Sequence, residues 1–106
     1  MANTFKNASA QVGLSAVAVY TAPAATAAVV FGLYLANIDN TEVILVDVEV
    51  FDDSGALVRT VGKQLPVPIG STLDFGKITL EENDALRVTA SKAASIDAFA
   101  NVLEIS

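Results

Sequence analysis

The chain has 106 residues, 53% of them hydrophobic and only 17% charged, with a formal net charge of −6. It contains no cysteine and no histidine, which excludes disulfides, thiolate metal sites and histidine-based acid–base or metal chemistry. The acidic balance argues against binding bare nucleic acid, because phosphate contacts need clustered Lys and Arg.

Length and composition predict one domain, residues 1–106, with residues 1–10 as a candidate extended arm. Residues 7–38 carry no charged side chain. A spanning helix needs about 20 predominantly apolar residues, and this run is long enough. Its content is poor for that purpose: Ser15, Thr21, Pro23 and Thr26 interrupt it, and Pro23 would break the helical ladder. Ala25-Thr26-Ala27 has the small-x-small pattern of a signal cleavage site, but Ser and Gln dilute the apolar segment before it. Neither a membrane span nor a signal peptide is favoured.

Strands explain the run better. AVAVYTAP is rich in Val and Tyr and stops at Pro23, while AAVVFGLYLAN resumes β-branched and aromatic residues and stops at Asn37. Strict alternation puts Val29, Phe31, Leu33 and Leu35 on one face and Val30, Tyr34 and Ala36 on the other. Both faces are apolar, so the second is expected to be covered by another copy. Val30, Tyr34, Ala36 and Tyr20 are therefore the predicted oligomer-interface residues.

TEVILVDVEVFDDSG alternates more cleanly, with Ile44, Val46, Val48 and Val50 on one face and Asp47 and Glu49 on the other. Asp52-Asp53-Ser54-Gly55 reads as a turn, with Gly55 able to take positive φ, and residues 56–64 as the returning hairpin strand. Pro66 and Pro68 forbid a central strand, and Gly70-Ser71 turns the chain. STLDF and KITL are short strands, EENDA a turn, and LRVTAS alternates again. The closing segment, residues 93–105, fits a strand or a helix by pattern, and the strand is preferred.

About eight short strands at regular turn spacing predict an all-β fold, a compact antiparallel β-sandwich of jelly-roll type. No nucleophile–base constellation, phosphate loop or cofactor site can be assembled, so an enzyme is not expected. Calcium is the one metal to weigh: Asp52, Asp53 and Ser54, or Glu81, Asn83 and Asp84, offer hard oxygen ligands. Neither group matches a defined loop, and turn chemistry explains both.

Taken in order, MANTFKNA, VYTAPA, VVFGLYLAN, VDVEVFDDS, PVPIGSTLDF, KITLEENDALRVTAS and VLEIS resemble the small virion structural proteins of tailed bacteriophages, including those of marine and cyanobacterial hosts. The resemblance covers nearly the whole chain and departs from the expected pattern at Asn83, in a turn that often reads Gly-Asp. It implies a non-enzymatic particle component: a capsid decoration or cement protein, or a small neck or tail protein. It further implies a homo-oligomer, a trimer before a dimer, located in the virion beside other virion proteins, with no nucleic acid, membrane or cofactor partner. The alternative is a small glycan- or host-surface-binding β-sandwich, which would use exposed aromatics or a calcium site.

Overall fold

A computed structural model describes residues 2–106, which form nine strands and, among the described residues, no helix. The strands are β1 (Asn3–Val12), β2 (Val17–Thr21), β3 (Ala27–Asn37), β4 (Ile44–Asp52), β5 (Leu57–Val67), β6 (Thr72–Asp74), β7 (Ile78–Leu80), β8 (Ala85–Ala90) and β9 (Ile96–Ile105). One sheet has the order β1-β9-β3-β6, with β7 also paired to β3; the other has the order β2-β8-β4-β5. Every pairing is antiparallel. Apart from the β4–β5 hairpin, hydrogen-bonded neighbours are distant in sequence, and the chain crosses between the sheets at most of its connections. This is the jelly-roll connectivity of a two-sheet all-β sandwich.

The two inner faces meet in one core. Leu33, Leu35 and Val102 come from the first sheet, and Val46, Val48 and Leu86 from the second; all are fully buried. Each such side chain stabilises the fold by roughly 1.5–3 kcal/mol on transfer from water. Chain ends and turns follow local chemistry. Pro23 closes β2, Ala25 takes a left-handed φ of 58°, and β3 restarts at Ala27. At the end of β3 the buried Asn37 amide donates to the Glu42 and Val67 carbonyls, and its Oδ1 accepts from the Asp39 N–H.

Several expectations are refined. The candidate arm, apart from Met1, which lies outside the described residues, is in β1 from Asn3 onward, and β1 pairs with β9 along its whole length. The segment 93–105 is strand from Ile96. In the β4–β5 turn the positive φ falls on Ala56 (51°), not on Gly55. Asn83 takes φ 66°, the left-handed conformation its side chain tolerates. Pro66 sits inside β5, where its missing N–H does no harm because β5 is an edge strand.

Candidate assembly surface

The outer faces of the two sheets differ sharply. On the β2-β8-β4-β5 sheet the exposed side is mixed: Glu49 pairs with Arg87 at 3.4 Å and Asp47 with Lys63 at 3.4 Å, while Leu45 and Val58 are also exposed there. Arg87 also lies over the Phe51 ring, 5.6 Å from its centroid. The acidic residues of β4 thus point outward, as the alternation predicted.

The outer face of the β1-β9-β3-β6 sheet is aromatic. It exposes Phe5 (74%), Phe31 (45%), Phe99 (42%) and Tyr34 (37%), from three adjacent strands. The Phe5 and Phe31 rings meet edge to face, centroids 6.0 Å apart at 87°. Tyr34 and Phe99 are opposite one another in the β3–β9 register. The half-buried Leu103 and Val29, also opposite one another, continue the apolar surface toward β1. By strand alternation, charge enters this face among the described residues only at Asp74, on the β6 edge, and at Asp97, at one end. Four exposed aromatics on one face form a patch of the kind that marks an interaction site.

A β-bulge in β3 creates this arrangement. The β3–β9 pairing runs from Val30 opposite Val102 to Gly32 opposite Asn101, leaving Phe31 as the extra residue. Side-chain parity therefore reverses within the strand. Ala28 and Val30 point inward before the bulge, and Leu33 and Leu35 after it; Phe31, Tyr34 and Ala36 are on the outside. Gly32 has no side chain, and the Tyr34 ring lies where one would project, with ring atoms 3.1 Å from the position a Cβ would take.

The bulge corrects the predicted interface set. Val30 is 0% exposed and belongs to the core, while Phe31, assigned to the core by strict alternation, is on the surface. Tyr20 is also buried, its hydroxyl donating to Glu104 across the sandwich. Tyr34 is exposed and Ala36 half-buried on the outer face. Phe5, Phe31 and Phe99 were missed as surface residues. Gly32 was the available signal, because a glycine inside a strand marks bulges.

The acidic candidates do converge in part. Carboxylate oxygens of Asp52, Glu81 and Asp84 lie within 4.8 Å of one another, and Asp53 is not in this group. The buried Asp84 already has work: Oδ1 accepts from the Asp53 N–H and Oδ2 from the Glu81 N–H, each at 3.0 Å. It ties the β4–β5 turn to the β7–β8 turn. Asp52 Oδ1 likewise accepts from the Ser54 N–H and hydroxyl, a local turn.

A third polar group lies inside. Glu104, on β9, accepts from Tyr20, on β2, and pairs with Lys6 on β1 at 3.3 Å. Burial, followed by the Glu104 hydrogen bond, pushes the Tyr20 hydroxyl well above the ordinary tyrosine range. The Tyr20 hydrogen bond, against the effect of burial and with help from Lys6, holds the Glu104 carboxyl below its usual range. The group joins the two sheets through side chains of β1, β2 and β9.

Sequence comparison with protein-family models and with curated proteins finds no match. The fold has solved counterparts. A chain of the acid-stable capsid of Helicobacter pylori bacteriophage KHP30 matches with a TM-score of 0.58 at 14% identity, over 100% of this chain and 94% of that one. A chain of the Bacillus endospore appendages, described as disulfide-linked pili, matches with a TM-score of 0.55 at 17% identity, over 97% and 84%. A chain of the T13 IBDV viral particle matches with a TM-score of 0.59 at 9% identity; there the chain covers 96% of itself but 30% of the counterpart. At these identities the likeness is one of fold.

Proposed function

We propose that the chain is a non-enzymatic structural protein of a virus particle, of the tailed-bacteriophage kind, that assembles with copies of itself. The observation that carries this reading is the aromatic outer face, Phe5, Phe31, Tyr34 and Phe99, presented by a jelly roll. Removing such a patch from water is the driving force of association, and cyclic symmetry lets one patch serve every copy. A trimer is the favoured closed form, with the acidic face of the other sheet left outward. The likeness of nearly the whole chain to a phage capsid chain supports a place in the virion, as a decoration or cement-like subunit or another small component. The chain has no cysteine, so the disulfide linkage ascribed to the endospore appendages is not open to it.

Mass spectrometry and antibody labelling of purified particles test the location: the protein is expected in stoichiometric amount, and its absence would overturn the assignment. Exposed aromatics also suit the second reading, a glycan-binding module. A sugar-array screen separates the two, since a structural subunit gives no specific signal.

A further inference from the structure

The sandwich has free edges at β1, β2, β5 and the β6–β7 pair. An open edge offers unpaired N–H and C=O groups to another strand, and proteins block such edges with short strands, bulges, proline and lysine. Three of the four are blocked in these ways. β2 has five residues and a register shift between Ala18 and Tyr20. β6 and β7 have three residues each. β5 is paired through two register shifts, contains Lys63 and Pro66, and turns left-handed at Gln64, φ 49°.

β1 is different. It pairs with β9 in one unbroken register from Asn3–Ile105 to Val12–Ile96, without bulge or proline. Its residues 3–7 are exposed on both faces, so they are held from one side only. Lys6 is its one charged residue, and the nearby Glu104 pairs with it.

We infer that β1 is a pairing edge for β1 of a second copy, antiparallel about a two-fold axis through Asn7. The occupant follows from the strand's self-complementarity. Paired residues must point to the same face, so the axis passes through a residue. Centred on Asn7, the pairing uses residues 3–11, sets the two Asn7 amides against each other, Phe5 against Ser9 and Lys6 against Ala8. Centring on Lys6 instead would oppose like charges. The joined sheet also carries the exposed Phe5 rings of both copies on one face, so the aromatic patch runs on across the seam. This inference rests on the reading that the chain assembles with its copies; the two-fold seam would bridge cyclic oligomers to their neighbours.

The absence of cysteine makes the test clean. Opposed residues in an antiparallel pair have Cα atoms about 4.5–5.5 Å apart, inside the span a disulfide bridges. Under mild oxidation Asn7→Cys is expected to form a covalent dimer about a hundredfold faster than Ser54→Cys, whose thiols meet only by diffusion. Ser9→Cys, opposite Phe5, should not exceed the Ser54→Cys rate. Equal rates for all three, or faster linkage at Ser9, would overturn the pairing. Hydrogen exchange of the unmodified protein supplies the second measurement: residues 3–11 should gain protection at high concentration and lose it on dilution, and unchanged exchange in an associated sample also overturns it. A wild-type protein that stays monomeric at every concentration defeats both the pairing and the assembly reading. One that oligomerises without these signatures defeats the pairing alone.

Discussion

The Tyr20 hydroxyl, on the β2-β8-β4-β5 sheet, donates a 2.5 Å hydrogen bond to Glu104 Oε2 on the opposite sheet. A carboxylate is kept among apolar side chains because that donor and Lys6 serve its oxygens. Tyr20→Phe leaves one of those oxygens short of a partner and should cost about 1–3 kcal/mol. Urea denaturation checks this: the midpoint should fall with m unchanged.

Burial of Tyr20 and this bond together set the sign of two pH dependences. Glu104 is held below its ordinary 4.5 in the folded protein, so the unfolded chain binds protons more readily in acid. Its contribution is complete above that value and is lost as pH falls through and below it. Tyr20 is held above its ordinary 10.0, so its contribution is complete below that pH and is lost as pH rises beyond it. Melting temperature against pH should therefore decline at both ends, and Tyr20→Phe should flatten both declines. An unchanged acid limb in the variant would show that Glu104 is not stabilised by Tyr20.

The bulge in β3 makes neighbours behave oppositely. Val30→Asp places a charge in a fully buried position and should leave little folded protein. Phe31→Asp lies on the surface and should cost little more than its edge-to-face contact with Phe5, about 0.5–1.5 kcal/mol. Circular dichroism melts of the two variants decide between this parity and strict alternation, which requires the reverse.

Charge on the aromatic face should dissolve the proposed assembly while sparing the fold. Phe31→Asp combined with Phe99→Asp is expected to shift light-scattering mass from oligomer to monomer at micromolar concentration with a near-native melting curve. A wild type that is already monomeric there would remove the basis for the proposed association.

Asp84 joins two turns through two backbone N–H groups, so Asp84→Ala should cost about 2–4 kcal/mol from lost charge-assisted hydrogen bonds. Because both its oxygens are already engaged, millimolar calcium against a chelator should leave the melting temperature unchanged. A rise that Glu81→Gln abolishes would instead identify Asp52, Glu81 and Asp84 as a cation site.

Much of this was legible in local chemistry. Pro23, the Asp52-Asp53-Ser54 turn and Asn83 punctuate the chain where strands end, because their constraints act within a few residues. Alternation in β4 separated Val46 and Val48 from Asp47 and Glu49 correctly, since that stretch has one polar and one apolar face. In β3 both faces are apolar, so the pattern could not register the extra residue at Phe31.

The sequence alone determined the all-β class, the turn positions and the lack of histidine and cysteine chemistry, which are set by residue type and near neighbours. Tertiary structure decided which apolar residues became core and which became surface. Pairing of β3 with β9 placed the bulge, buried Val30, and turned Phe31 outward beside Phe5, a residue 26 positions away in sequence; pairing of β2 with β8 and packing of the two sheets buried Tyr20. Such contacts arise from long-range register, which no local pattern encodes.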